Sequence, residues 1–308
     1  MCAIDRIYFQ DEQEAFKYLE SVRWPDGPVC PHCGVVRHAY ACARVGRYRC
    51  ADKGCRKDFT VRVGTVFEDS PIELHKWLLA AYLVCASKKG ISSLQLQRML
   101  GVTYKTAWFM SHRLREAMNI APAATMGGAG EAVEVDETYW GNVGKQAPGA
   151  RGYEHKMKIV SLVKRNGQKR SFHVASVTAA SVTPILKEHI ASKARVMTDE
   201  LSVYKRLGTH FAEHGVVNHS KKEYVRFDIT TNTVESSFAV LKRGLYGTFH
   251  SVSEQHLQRY VTEFDFKWNT RQKLGFDDTQ RTAEVLKNIG GKRLTYRMAN
   301  SMEISIAS

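Results

Sequence analysis

Two short-spaced cysteine pairs, Cys30-Pro-His-Cys33 and Cys50-Ala-Asp-Lys-Gly-Cys55, constrain the N-terminal part of this chain more tightly than any apolar run. Four thiolates in two knuckles predict one tetrahedral structural zinc site, with no ligand position left open for catalysis. The segment around them is short and Gly-rich, so metal binding is expected to supply much of its folding energy. His32 and His38 are alternative ligands, but the four cysteines already complete the shell. Cys2, Cys42 and Cys85 fall outside the pattern and read as ordinary thiols. In a reducing compartment, this cysteine usage argues for metal rather than a disulfide framework.

The formal net charge of +14 favours a polyanionic partner, nucleic acid or an acidic membrane surface. The longest apolar run, Trp77–Ala86, is about half of a spanning helix. The N-terminus carries charge early and has no apolar signal core. Membrane association is therefore disfavoured and an intracellular protein expected. Around the cysteines the basic residues Arg37, Arg44, Arg47, Arg49, Lys53, Arg56, Lys57 and Arg62 alternate with Tyr40, Tyr48 and Phe59. A zinc-held strand pair with that surface fits phosphate contact, although nothing in it specifies bases. A merely solvated basic face is the competing reading.

The chain reads as multidomain, with an N-terminal helix and zinc ribbon over residues 1–66. An all-α segment follows over 67–120, in which Pro71 is placed at a first helical turn. Within it, Leu94, Leu96, Met99 and Leu100 are expected to pack against Ala107, Met110 and Leu114 across a turn at Gly101-Val-Thr103. That is a helix-turn-helix pattern, with Tyr104, Lys105, Thr106, Ser111 or His112, and Arg113 available to DNA. A plain helical hairpin is the alternative. Residues 121–130 have linker composition. Beyond them, over 131–275, strand-like runs at 132–140, 156–164 and 171–177 are joined by a loop over 144–152 and an Asn166-Gly167 turn. Helices over 183–191 and 202–207 alternate with strands at 195–198 and 216–218; helices at 231–244 and 253–269 follow. A mixed α/β sheet flanked by helices results. A helical extension and tail occupy 276–308.

Three acids lie on separate elements of this α/β part. Alternation in the first strand puts Glu134, Asp136 and Thr138 on one face, so Glu134 competes with Asp136, while Glu137 is expected to point away. Asp199 ends a short strand, where sites of α/β sheets collect, and Glu200 is its competitor. Glu235 and Lys242 stand seven residues apart on one helix face. Hard oxygen ligands suit Mg²⁺ or Mn²⁺, and two such ions would serve in-line displacement at a phosphodiester. Lys242 and Arg243 are then placed to meet a substrate phosphate.

The chain resembles DDE insertion-sequence transposases of the ISXO type, which join a zinc ribbon to an RNase H-like catalytic domain. The resemblance rests on an ordered set: Cys30-Pro-His-Cys33, Cys50 with Cys55, Gly64-Thr65, Lys88-Lys-Gly-Ile-Ser92 and Thr103-Tyr-Lys-Thr-Ala-Trp108. It continues through Val135-Asp-Glu-Thr138, Thr198-Asp199, His219-Ser220, Thr231-Asn-Thr-Val-Glu235, Leu241-Lys-Arg-Gly244, Gly247-Thr-Phe-His250 and Leu294-Thr-Tyr-Arg297. It implies an enzyme that binds the terminal inverted repeats of its element, hydrolyses the ends and attacks target DNA with the freed 3′-hydroxyl. The implied metal ligands are Asp136, Asp199 and Glu235, with Lys242 beside the DNA. His219 matches a recurrent position without a physical role of its own. The implied partners are double-stranded DNA and further copies of the chain, and the implied location is the bacterial cytoplasm at the nucleoid. Two other readings compete: a catalytically silent regulator that only binds DNA, and a metal nuclease that cuts without joining.

Overall fold

The computed structural model describes residues 3–143, 152–205 and 207–295. The loop expected over 144–152, except Gly152, lies outside the described residues, as do Cys2, Arg206 and the tail from Tyr296. The chain forms two compact units, one of residues 1–120 with 275–308 and the other of 121–274.

In the first unit, Asp11 caps helix α1 (Glu12–Arg23) through the Glu14 N–H. Strands β1 (Ala39–Ala41), β2 (Arg47–Cys50) and β3 (Asp58–Thr60) form a small antiparallel sheet, with Cys50 at the end of β2. Helix α2 (Leu74–Ala86) starts three residues after Pro71, because the Glu12 carboxylate accepts from the N–H groups of Leu74 and His75. Helices α3 (Ser93–Leu100) and α4 (Tyr104–Met118) follow, capped by Ser92 and Thr103. Gly101 takes the left-handed conformation (φ +62°) that closes α3. Leu96 and Leu100 are buried as expected, whereas Leu94 and Met99 face outward. The C-terminal helix α8 (Asp278–Lys287) packs into this same unit, where Val66 donates to the Ile289 carbonyl.

The second unit begins inside the presumed linker. Met126 is buried and pairs through its backbone with His189 and Ala191, so an apolar side chain and two ladder bonds fix the segment. The sheet follows the order β6-β5-β4-β7-β8. Strands β4 (Ala132–Trp140), β5 (Met157–Lys164) and β6 (Lys169–Val174) run antiparallel, with Asn166 supplying a positive φ between β5 and β6. Strands β7 (Arg195–Thr198) and β8 (Glu213–Val216) run parallel to β4. One sheet face packs Val133, Val135, Val160 and Leu162 against helix α5 (Ala179–His189), which begins earlier than expected because Thr178 and Ser181 form a capping box. The other packs Ile159 and Val163 against helices α6 (Asn232–Gly244) and α7 (Glu254–Asn269). Instead of the helix expected over 202–207, two 3₁₀ turns occur, Ser202–Tyr204 and Leu207–Thr209. A small hairpin of β9 (Val225–Arg226) and β10 (Ile229–Thr230) precedes α6. Among the described residues, no helix is long and apolar enough to cross a membrane.

Candidate active site

Strands β4 and β7 pair in parallel up to Glu134↔Met197, so Asp136 and Asp199 each lie two residues beyond the last rung, on neighbouring strands. Their carboxylates meet there. Oxygens of Asp136, Glu137 and Asp199 all lie within 4.8 Å of one another. Opposite ligands of an octahedral Mg²⁺ at ~2.1 Å stand ~4.2 Å apart, so this oxygen-only set fits a hard divalent cation.

Glu137 was expected to point away and does not. Alternation holds where a strand is flanked by partners, but β4 has lost β7 at this point, and the longer glutamate side chain reaches around the open edge. The Tyr204 hydroxyl donates to Glu137 Oε2 (2.7 Å) and anchors it there. The adjacent acid in Val135-Asp-Glu-Thr138 was the available signal for this residue; Tyr204 carried none.

The two competing acids have other duties. Glu134 is fully buried and accepts from the N–H groups of Thr233 (2.7 Å) and Val234 (3.0 Å), the Thr233 hydroxyl and Arg165 Nε. It therefore caps α6 from a neighbouring strand. Glu200 accepts from the N–H groups of His219 and Ser220 and from the Ser220 hydroxyl, which hold it down at about 2. Neither carboxylate is turned to the cluster.

Glu235, in the first turn of α6, is outside the tight cluster. Its Oε1 accepts from the Thr231 hydroxyl (2.7 Å) and lies 3.6 Å from His219 Nε2. It remains close enough for its charge to raise the pKa values of both Asp136 and Asp199. His219 thus gains a place, between Thr231 and Glu235 and against the Tyr224 ring. Lys242 is half-buried, and its carbonyl accepts from the Leu245 N–H. Arg243 is exposed, its Nε donating to the Ala239 carbonyl.

Burial, then the neighbouring charges of Glu137 and Asp199, pushes Asp136 up to about 8. Asp199 and Glu137 are raised chiefly by burial as well, opposed at Glu137 by the Tyr204 hydrogen bond. Such a crowd of carboxylates is costly unless protons or cations neutralise it.

The cysteine cluster has matching geometry. The sulfurs of Cys30 and Cys55 are 3.7 Å apart and those of Cys33 and Cys50 are 3.6 Å apart, with all four within 4.8 Å of one another. Zn–S bonds of ~2.3 Å give tetrahedral edges of ~3.8 Å. Each knuckle ends on a left-handed residue, Gly34 (φ +78°) and Arg56 (φ +51°). Cys42 and Cys85 take no part in the cluster.

The expected DNA contacts divide. Arg44, Lys57, Tyr104 and Lys105 are exposed and Thr106 is half-buried. Arg47 and Arg49 both pair with Asp58 (2.6 and 2.7 Å), which shares one carboxylate between two guanidinium groups. Arg113 is turned inward: its guanidinium donates to the Leu294 and Glu68 carbonyls and lies over the Phe109 ring. Ser111 and His112 are buried too, so the inner face of α4 belongs to the core of its unit.

A four-sulfur ribbon cluster and a carboxylate cluster just past the last parallel rung between β4 and β7 define a zinc-ribbon protein with a metal-type acidic site. Residues 128–269 match the ISXO2-like transposase domain and residues 10–58 the transposase zinc-ribbon domain. A relative described as an uncharacterized protein in transposable element ISH50, from Halobacterium salinarum, is 30% identical over 288 residues, covering 87% of this chain and 94% of its own. The chain belongs to the IS1595 family of DDE transposases. One chain of a solved simian T-cell lymphotropic virus intasome in complex with PP2A regulatory subunit B56 gamma matches at 12% identity over 56% of this chain and 63% of that one, with a TM-score of 0.28, too low to carry weight.

Proposed function

We propose that this transposase binds the terminal inverted repeats of its own element, hydrolyses strands at those ends and joins the freed 3′-hydroxyl to target DNA. The observation that carries the reading is the meeting of Asp136 and Asp199 within 4.8 Å, just past the last parallel rung between β4 and β7. Two divalent cations, Mg²⁺ or Mn²⁺, would supply activation of the attacking oxygen and stabilisation of the leaving one. Asp136 and Asp199 would hold them, with Glu235 as the third acid, brought alongside by the hydrogen bonds that tie the start of α6 to Glu134. Lys242, on the same helix face as Glu235, holds a substrate phosphate. An RNase H-like domain is supported by the strand order and senses, three antiparallel strands followed by two parallel ones.

Zinc at Cys30, Cys33, Cys50 and Cys55 holds the ribbon, whose exposed Arg44 and Lys57 meet DNA phosphates. Helices α3 and α4 act as the helix-turn-helix, with Tyr104 and Lys105 toward the groove. Holding two DNA ends together calls for a homodimer or larger assembly on DNA, in the cytoplasm at the nucleoid.

The test is end joining. Purified protein is incubated with Mn²⁺, supercoiled plasmid and labelled duplexes carrying the element's ends. Label transferred into plasmid is the expected result. Cut ends without transfer would favour the nuclease reading, and bound but uncut ends the silent regulator.

A further inference from the structure

The hairpin of β9 and β10 lies between His219 and the α6 cap. Its ladder pairs Val225 with Thr230 and Arg226 with Ile229, leaving Phe227-Asp228 as a two-residue loop. Phe227 combines two anomalies. It is 94% exposed, more than any other large hydrophobic side chain among the described residues. It also sits at φ +57°, a backbone conformation that such loops normally give to Gly, Asn or Asp. A bulky residue held at positive φ is strained, and here burial offers nothing in return.

The hairpin beneath it is firmly held. Asp228 pairs with Arg195, which also pairs with Glu213 of β8. Arg226 Nη2 donates to the Val216 carbonyl and Arg165 Nη2 to that of Thr230. Ile229 packs against Gly215, where an added Cβ would lie 2.9 Å from it. The side chain thus projects from a rigid base. Lys221, Lys222, Tyr224 and Arg226 precede it within six residues, all exposed. Basic groups interleaved with exposed rings suit a nucleic-acid strand, whose backbone meets the charges while a base stacks on a ring.

Phe227 is four residues from Thr231, whose hydroxyl donates to Glu235. At ~3.5 Å per residue, their Cα atoms are at most ~14 Å apart. That is about four base steps along a DNA strand.

We propose that Phe227 is a stacking wedge that receives an unpaired base of the DNA within a few steps of the cleaved phosphodiester, an inference that rests on the DNA-cleaving role proposed for the acidic cluster. An apolar wedge beside a cleaved step holds the duplex open, a deformation that basic residues on either side sustain. The strained conformation presents the ring outward instead of letting it fold back on the hairpin.

The experiment compares the full-length wild type, Phe227→Ala, Phe227→Leu and Phe227→Gly. Affinities are measured for two oligonucleotide duplexes of one sequence, one fully paired and one carrying a single unpaired base, alongside nicking of supercoiled plasmid in Mn²⁺. The wild type is expected to prefer the unpaired duplex by about 10-fold, the size of one base–aromatic stack. Phe227→Ala and Phe227→Leu should lose that preference while keeping affinity for the paired duplex. Phe227→Gly relieves the positive φ, so its thermal midpoint should equal or exceed the wild type's while the preference still disappears. Wild-type nicking with equal affinity for both duplexes overturns the wedge and leaves the proposed function standing. Binding and nicking of neither substrate overturns the proposed function and the wedge together. Dissociation of a dimer by Phe227→Ala, with base preference intact, overturns the wedge and assigns the side chain to a second copy.

Discussion

The carboxylate of Glu134, on β4, accepts a 2.7 Å hydrogen bond from the backbone N–H of Thr233, at the start of α6. Through this bond, and its companions to Val234 and Arg165, the strand bearing Asp136 grips the helix bearing Glu235. The orphan N–H groups of the helix and a buried charge satisfy each other. Removing the carboxylate strands those N–H groups and the Arg165 guanidinium. Glu134→Ala is expected to destabilise the second unit by about 3–5 kcal/mol, the usual consequence of breaking one side of a buried ion pair. Glu134→Gln keeps the shape and should retain most stability while weakening metal-dependent cleavage more than DNA binding. Thermal denaturation and a nicking titration with Mn²⁺ check both.

Asp136 is expected to make the metal-free protein sensitive to alkali. Its folded pKa, about 8, stands above the ordinary 3.8, so the folded state holds this proton more tightly than the unfolded chain does. The resulting contribution is fully present below the ordinary value and is lost as pH rises through the folded one. Metal-free protein should therefore lose on the order of 2 kcal/mol between roughly pH 4 and pH 8, with the loss shared among coupled acids. Asp136→Asn should flatten that slope, and added Mn²⁺ should restore the wild type at the alkaline end. Denaturant unfolding at several pH values is the measurement. An identical slope in Asp136→Asn would assign it elsewhere.

The chain's organisation was legible where local pattern decides it. Strand β4 is bounded as its β-branched alternation predicts, and the cysteine spacing located the sulfur cluster. What escaped depended on partners far along the chain. Glu134 and Asp136 share a face of β4, and only Thr233, 99 residues further on, separates a helix cap from a cluster acid. Glu137 was misdirected because period-two alternation ignores where a neighbouring strand ends. Arg113 reads as a groove residue until the Leu294 carbonyl, 181 residues away, claims its guanidinium. The 3₁₀ turns after Asp199 carry too few residues to show a period.

Arg113 and Lys105 should consequently behave in opposite ways. Arg113→Ala is expected to cost about 2–3 kcal/mol of stability, through lost charge-assisted bonds to buried carbonyls. It should leave the salt dependence of DNA binding unchanged. Lys105→Ala, at an exposed position, should cost less stability than Arg113→Ala and lower the slope of log affinity against log salt by about 1. Thermal denaturation and salt-dependent binding isotherms separate the two.

The ribbon should hold one zinc per chain, and Cys33→Ser or Cys50→Ser should lose it together with the strand signal of the small sheet. Metal analysis of the purified protein, followed by circular dichroism during chelation, checks this. A full strand signal after complete zinc removal would show that the ribbon folds on its apolar contacts alone.

The most direct measurement is nicking of supercoiled plasmid in Mn²⁺ by the wild type and by Asp199→Asn, purified in parallel. Nicking by the wild type and a loss of at least about 100-fold in the variant are expected, since the removed charge is one of the acids proposed to hold the ions. Equal nicking by both proteins would contradict this, because the carboxylates that meet just past the last β4–β7 rung would then have no part in cutting DNA.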